Sequence, residues 1–118
     1  MPETIFAEHT LISEEHQFGG RLDWYGLFNG SRTLVDFKFT GGLYEEAVLE
    51  VAGYRQLLIE NGNEVDEVRL VRFGRTEDEE QEDRYLSLKQ LEAAREGFLS
   101  LRKLYDLKKD FALKKEAA

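Results

Sequence analysis

The chain has 118 residues, enough for one domain built around a single modest hydrophobic core. It is 42% hydrophobic and 34% charged, which is typical of a soluble globular protein with more charge than average. The formal net charge of −8 argues against broad charge-driven binding to nucleic acids or membranes, but not against a nucleic-acid enzyme whose metal ions supply positive charge in one cleft.

The absence of cysteine excludes disulfides, thiolate metal sites and a cysteine nucleophile, and it fits a reducing compartment. No apolar run approaches the roughly 20 residues that span a bilayer. The first ten residues lack the basic start and apolar middle of a signal peptide. We therefore expect a cytoplasmic protein with no membrane partner.

The first half of the chain predicts extended structure. Residues 1–7 are expected to be a loose lead-in, Thr10–Ser13 a short strand, and Glu14–Gln17 a turn or a continuation of that strand. Two apolar runs then meet at Asn29-Gly30, a pair that accepts the positive φ angles of a type I′ turn. This pair predicts a β-hairpin.

The second strand of the hairpin, residues 33–39, alternates, with Leu34, Asp36 and Lys38 on one face and Val35, Phe37 and Phe39 on the other. We expect the second, apolar set to pack in the core. The first set brings the carboxylate of Asp36 and the amine of Lys38 side by side. Asp23 lies among apolar residues of the first strand, where a charged residue is seldom left without a partner or a role.

The second half of the chain predicts helices. From Tyr44 to about Glu60 apolar residues recur at steps of three and four, and 61–63, Asn-Gly-Asn, ends this helix. Val68–Phe73 is the next strand, with Arg69 and Arg72 on opposite faces.

Six acids in 77–83 predict a solvated segment, and Tyr85-Leu86 a last short strand. Ser87 with Gln90 matches a capping box and predicts a long helix to about Phe111. Its apolar stripe is formed by Leu91, Ala94, Phe98, Leu101 and Tyr105, and Gly97 inside it indicates close packing or a kink. The order of elements predicts an α/β (α+β) fold, a mixed sheet flanked by helices, as a single domain over residues 1–118.

Asp23, Asp36 and Lys38 together suggest metal-assisted hydrolysis. Two carboxylates that converge from neighbouring strands repel unless a cation lies between them, and magnesium binds through one or two carboxylates plus substrate phosphate. Glu8 is a third carboxylate if the first strand brings it close, and the backbone carbonyl of Phe37 is a further ligand. Lys38 would orient or deprotonate the attacking water and stabilise phosphate charge. The alternative is a cross-strand salt bridge on a solvated face.

These residues also carry a resemblance. Gly20 with Asp23, then Asp36-Phe37-Lys38, then the helix LEVAGYRQLL resemble the PD-(D/E)XK nuclease superfamily, in particular its RecB-like exonuclease branch, which includes small phage and viral nucleases. That branch shows a glutamate, Gly-x-x-Asp, Asp-x-Lys after a hairpin, and Gln-x-x-x-Tyr on a helix. The matching positions, over residues 8–58, are Glu8, Gly20 with Asp23, Asp36 with Lys38, and Glu50 with Tyr54.

The resemblance implies a restriction-endonuclease-like fold in which Asp23 and Asp36 bind Mg²⁺ or Mn²⁺, with Glu8 as a further ligand and Lys38 as the catalytic lysine. Glu50 and Tyr54 would face the substrate. The implied activity is hydrolysis of DNA phosphodiester bonds, exonuclease-like, in replication, recombination or repair, and in the host cytoplasm if the protein is viral.

Two departures favour an alternative. Glu50 stands where the branch has glutamine, and only seven residues precede Glu8, where relatives carry a helical segment. The chain is then either a minimal nuclease or one whose cleft is completed by a second copy or another protein. The alternative is a catalytically silent nuclease-fold binding or scaffold module. A weaker one is a plain acidic interaction domain that dimerises through its long helix.

Several single residues keep two interpretations. Tyr54 is a core residue or a substrate contact, and one of Trp24 and Tyr25 is core while the other is available for base stacking. Two other carboxylates, Glu14 and Glu15, compete with Glu8 as the third ligand. The histidines, His9 and His16, are expected at the surface. Three arginines are either phosphate contacts or solvated side chains: Arg55, Arg69 and Arg72.

Overall fold

The computed structural model describes residues 2–39, 45–74 and 80–113. Its elements in chain order are β1 (Glu3–Ser13), β2 (Phe18–Phe28), β3 (Ser31–Lys38), α1 (Glu45–Glu60), β4 (Glu67–Arg72), β5 (Glu82–Tyr85) and α2 (Leu88–Phe111). The strands form one sheet in the order β1-β2-β3-β4-β5, antiparallel except for the parallel pair β3 and β4. A mixed sheet, two helices and a long second helix confirm the α+β prediction.

The β2–β3 hairpin forms where the Asn-Gly pair predicted it. Phe28 pairs with Ser31 across the turn, and both turn residues have positive φ, 51° at Asn29 and 80° at Gly30. These angles are those of a type I′ turn, whose twist matches the flanking strands.

The predicted start of the first strand is wrong. β1 begins at Glu3 rather than Thr10, because backbone pairing with β2 runs from Glu3 opposite Leu27 to Ser13 opposite Phe18. Most of β1 is exposed. It therefore lacks the apolar alternation by which a strand is identified in a sequence.

The prediction of which face of β3 enters the core is also wrong. The core cluster contains Leu34 together with Val51 and Leu58 of α1, so α1 covers the face that carries Leu34. On the other face Val35 is buried, but Phe37 is 37% exposed and Phe39 is 68% exposed. As a result Asp36, on the same face as Leu34, lies beneath α1 and is only 2% exposed.

The helix ends agree with their sequence signals. Gly62 has a φ of 83°, and Asn63 N–H donates to the Leu58 carbonyl at 2.8 Å, which closes α1 in a left-handed cap. Ser87 accepts from the backbone N–H of Gln90, while the Gln90 side chain accepts from the backbone N–H of Ser87. This confirms the capping box of α2.

The apolar stripe of α2 is buried only in its first half. Leu91 and Ala94 are buried, whereas Leu101 is 54% and Tyr105 59% exposed. α2 packs against α1, and at 1.5 Å per residue its 24 residues span about 36 Å against about 24 Å for the 16 residues of α1. The C-terminal half of α2 therefore extends past its partner. Neither described helix is long and apolar enough to cross a membrane.

The last strand lies earlier than predicted, at Glu82–Tyr85, and begins inside the acidic run. It forms there because its acids pair with bases of β4: Glu82 lies 3.0 Å from Arg72, and Asp83 forms an ion pair with Arg69. Positions 77–79 of the run fall outside the described residues, as do positions 40–44, with the predicted strand break and the predicted start of α1.

Candidate active site

The candidate active site lies where β2 separates from β3. At this end of the hairpin the last paired residues of β2 and β3 are Trp24 and Val35. Asp23 comes directly before Trp24 on β2. Its carboxylate Oδ2 accepts the backbone N–H of Phe37 at 2.9 Å. The Asp23 carboxylate thus takes the place of a backbone hydrogen bond between β2 and β3 that is lost where the strands separate. This bond holds Asp23 against the backbone between Asp36 and Lys38.

Asp36 is buried beside both Asp23 and Lys38. Lys38 Nζ lies 3.0 Å from Asp36 Oδ2, so the cation beside this buried oxygen is the lysine ammonium. Burial raises the pKa of the Asp36 carboxyl to about 7, the neighbouring Asp23 carboxyl adds to the rise, and Lys38 opposes it. The poorly solvated Asp36 carboxyl therefore lies beside a second, half-buried carboxyl.

Glu50 and Tyr54 of α1 complete the cluster. They are four residues apart and so lie on one face of the helix. Glu50 Oε1 accepts from Lys38 Nζ at 3.1 Å and from the Tyr54 hydroxyl at 2.7 Å. Burial raises the pKa of that hydroxyl, and Glu50 raises it further, so it stays protonated.

Lys38 is held as a cation by this network. Burial favours its neutral form, but Asp36 and Glu50 outweigh burial and raise the pKa of its amine. A lysine in this state donates hydrogen bonds and supplies positive charge, and it is poorly suited to act as a base.

Gly20 of β2 and Tyr54 of α1 belong to separate parts of the motif and are in contact in the fold. A Cβ atom on Gly20 would lie 2.8 Å from the Tyr54 ring, closer than packing allows. The glycine of Gly-x-x-Asp therefore lets Tyr54 lie on β2. The sequence pointed to both residues separately, but only the packing of α1 on the sheet joins them.

Glu8 lies opposite Asp23 in the sheet, because its neighbours Ala7 and His9 pair with the residues that flank Asp23. Its side chain, however, is 78% exposed and lies 3.6 Å from Arg21. Glu8 is also not part of a three-ligand group with Asp23 and Asp36. Within the described ranges, three side chains that are close enough together to hold a metal ion are found elsewhere, at Glu15, His16 and Glu60.

The arginines considered as phosphate contacts are already paired with acids. Arg55 lies 3.5 Å from Glu92, Arg69 pairs with Asp83 and stacks on Phe28 and Tyr85, and Arg72 pairs with Glu82. Of the two aromatic residues on β2, Tyr25 is the core residue at 2% exposure. Trp24 is half-buried and donates its indole N–H to the Thr4 hydroxyl at 2.9 Å.

The chemistry of this donor set fits a hard divalent cation. Asp23 and Asp36 present two adjacent carboxylates, and the pKa of the buried Asp36 carboxyl is raised by burial and by Asp23. Mg²⁺ and Mn²⁺ prefer oxygen ligands, and magnesium is commonly held by one or two carboxylates plus phosphate and water. The backbone carbonyl of Phe37 and the side chain of Glu8 stay predictions as further ligands.

No protein-family model matches the chain, and no curated protein is significantly similar to it. The resemblance to PD-(D/E)XK nucleases therefore depends on the order of the motif residues and on how they converge.

Proposed function

We propose that the chain is a divalent-metal-dependent nuclease of the PD-(D/E)XK type that hydrolyses DNA phosphodiester bonds. One observation carries this proposal: Asp23, Asp36, Lys38, Glu50 and Tyr54, chosen from the sequence, form one connected cluster. A cross-strand ion pair on a solvated face does not account for an Asp36 that is 2% exposed. Exonuclease action and a role in replication, recombination or repair are supported by the family resemblance alone.

In this function Asp23 and Asp36 would hold Mg²⁺ or Mn²⁺. When bound, the ion would supply an activated water and neutralise phosphate charge. Lys38, kept protonated by Asp36 and Glu50, would stabilise negative charge that develops on the phosphate. Tyr54 would fix Glu50 through its hydroxyl and so keep the lysine in place.

The test is cleavage of single- and double-stranded DNA labelled at either end, with Mg²⁺ or Mn²⁺ and with EDTA. We expect Asp36→Asn and Lys38→Ala each to lower the rate at least about 100-fold. Lys103→Ala, which removes an exposed lysine of α2, should cleave at the wild-type rate. Release of single nucleotides indicates an exonuclease, and fragments of intermediate length indicate an endonuclease.

A second candidate function is a catalytically silent nuclease-fold module that binds without cleaving. The observation that favours it is the Glu50 carboxylate, which binds Lys38 and adds negative charge beside it. DNA left whole under every condition, with circular dichroism showing a folded protein, would support this alternative or the plain acidic interaction domain. Cleavage by Asp36→Asn at the wild-type rate would also overturn the nuclease proposal.

A further inference from the structure

A second cluster of metal-ligating side chains lies far from the candidate active site. It forms where the turn of residues 14–17, between β1 and β2, meets the C-terminal end of α1. One carboxylate oxygen each from Glu15 and Glu60 and one ring nitrogen of His16 lie within 4.8 Å of one another. Glu60 is ten residues beyond Glu50 on α1, or about 15 Å along the helix axis.

The backbone around this cluster is already held in place. Ser13 is buried, donates its hydroxyl to Glu60 Oε1 at 2.9 Å, and accepts the His16 backbone N–H at 3.0 Å. Asn61 also links the end of β1 to the end of α1. Its side-chain amide donates to the carbonyls of Ile12 at 3.1 Å and Leu57 at 2.8 Å. The Glu60 side chain and the backbone of His16 are therefore positioned before any ligand arrives.

The charge at this junction is uncompensated on the Glu60 side. Glu60 Oε2 is buried and has no hydrogen-bond partner within the described part of the chain, and a buried carboxylate oxygen needs a donor or a cation. Glu60 is also the last residue of α1, where the helix dipole is negative, and the last turn of α1 contains no basic residue. Both facts favour a bound cation.

Two neighbouring cations of α2, Arg102 and Lys103, act in the opposite direction. Arg102 of α2 donates to the Gln17 carbonyl of the same turn at 2.6 Å. Its guanidinium also lies 3.5 Å from Asp106, which compensates part of its charge. The local balance around Glu15 and Glu60 therefore stays negative.

We propose that Glu15, His16 and Glu60 bind a zinc-type transition-metal ion that links the β1–β2 turn to the end of α1. One imidazole nitrogen and two carboxylate oxygens suit Zn²⁺ better than Mg²⁺, which prefers oxygen alone. Tetrahedral coordination at about 2.0–2.1 Å requires ligand atoms roughly 3.4 Å apart. His16 Nε2 and Glu15 Oε1 are 3.9 Å apart, and the Glu15 side chain is 74% exposed and free to close this gap.

Three protein ligands leave a fourth coordination position for water or for a group from another molecule. This site does not depend on the nuclease proposal, because it shares no residue with the Asp23 and Asp36 cluster. A failure of one proposal therefore leaves the other intact.

The test is titration of the full chain with Zn²⁺ by calorimetry, together with the visible spectrum of the Co²⁺ form. We expect one tight equivalent of Zn²⁺ and a spectrum typical of four-coordinate cobalt with nitrogen and oxygen ligands. His16→Ala and Glu15→Gln should each weaken binding at least tenfold. His9→Ala, which removes the other histidine, and the double variant Asp23→Asn with Asp36→Asn should keep this equivalent.

Thermal unfolding gives a second measurement. In the Asp23→Asn/Asp36→Asn double variant, which lacks the other proposed cation site, Zn²⁺ should raise the Tm, and adding His16→Ala should abolish this rise. Glu15→Gln guards against misfolding, because its side chain is exposed. The proposal is overturned if Zn²⁺ does not bind at micromolar concentration, if His16→Ala binds it as tightly as the wild type, or if only the Asp23/Asp36 variant loses binding.

Discussion

At the scale of single residues, Asp36 determines the electrostatics of the candidate active site. It lies beneath α1 at 2% exposure, and its pKa is raised to about 7, first by burial and then by the Asp23 carboxyl. Without a divalent ion it is therefore partly protonated at neutral pH. A cation between Asp23 and Asp36 would favour both charged forms, so ion binding and the ionisation of Asp36 are coupled.

This coupling predicts a pH dependence of stability in EDTA. Asp36 ionises near 3.8 in the unfolded chain and near 7 in the fold, so the native state holds more protons between these values. The free energy of unfolding should therefore fall as pH rises from about 4 to about 7, by at most roughly 4 kcal/mol. Urea unfolding across this range measures it.

In Asp36→Asn this loss of stability with rising pH should be absent, whereas Asp110→Asn, an exposed acid of α2, should behave as the wild type. Saturating Mg²⁺ should stabilise the wild type more at pH 8 than at pH 5, because the ion requires the ionised carboxylate. Identical pH profiles for the wild type and Asp36→Asn would contradict the assignment.

Glu50 gives the second prediction at this scale. Its Oε1 accepts from both Lys38 and Tyr54, and a glutamine keeps an acceptor oxygen there while removing the negative charge. We expect Glu50→Gln to bind DNA and cleave it several-fold better than the wild type, since repulsion of the phosphate is reduced. The measurements are fluorescence anisotropy and initial cleavage rates at fixed salt.

The matched control for Glu50→Gln is Glu96→Gln, which makes the same charge change at an exposed position of α2. It should leave affinity and rate within a factor of two. Weaker DNA binding by Glu50→Gln would mean that the carboxylate serves the site through its charge rather than as an acceptor.

At the scale of elements, the sequence correctly predicted the turns and helix caps, because these depend on residues that are close together in the chain. The Asn29-Gly30 turn, the Gly62 cap and the Ser87 capping box each depend on a few neighbouring residues, and each is present. The full length of β1, the position of β5 and the buried face of β3 depend on pairing or packing with distant segments, and these predictions were wrong. Asp23, Asp36 and Lys38 were predicted as one group, but the bond between Lys38 and Glu50 follows from where α1 lies on the sheet.

The contact between the two helices gives a prediction with a built-in control. Glycine to alanine inside a helix normally stabilises by up to about 1 kcal/mol. At Gly53 of α1, however, an added Cβ would lie 2.9 Å from the Phe98 ring, which packs edge-on against Phe18. Gly53→Ala should therefore destabilise by about 1–3 kcal/mol.

At Gly97 of α2 the added Cβ would instead lie 3.1 Å from Leu49 Cδ2, the end of a flexible side chain. Gly97→Ala should be close to neutral or stabilising by up to about 1 kcal/mol. Urea unfolding of the two variants side by side measures the difference. Equal stabilities would show that the helices can separate slightly without cost.

At the scale of the whole molecule, the C-terminal half of α2 extends beyond α1 and exposes apolar side chains. Leu104, Leu107 and Phe111 are spaced three and four residues apart on one side of its C-terminal half and are 52%, 48% and 60% exposed. With Leu101 and Tyr105 they present on the order of 400–500 Å² of apolar surface, at the upper end for a monomer and about half of the roughly 800 Å² that each partner buries in a standard interface.

We therefore expect a weak, reversible homodimer through this stripe, since a second copy brings an identical apolar surface and doubles the buried area. Sedimentation velocity from micromolar to near-millimolar concentration should show a shift from monomer to dimer. Leu104→Glu with Leu107→Glu should sediment as a monomer throughout with an unchanged midpoint of urea unfolding, because both side chains are already half exposed. Leu113→Glu makes the same chemical change at a 99% exposed position beyond the helix and should still dimerise. A wild type that stays monomeric at all concentrations would remove the second copy as the partner that completes the cleft.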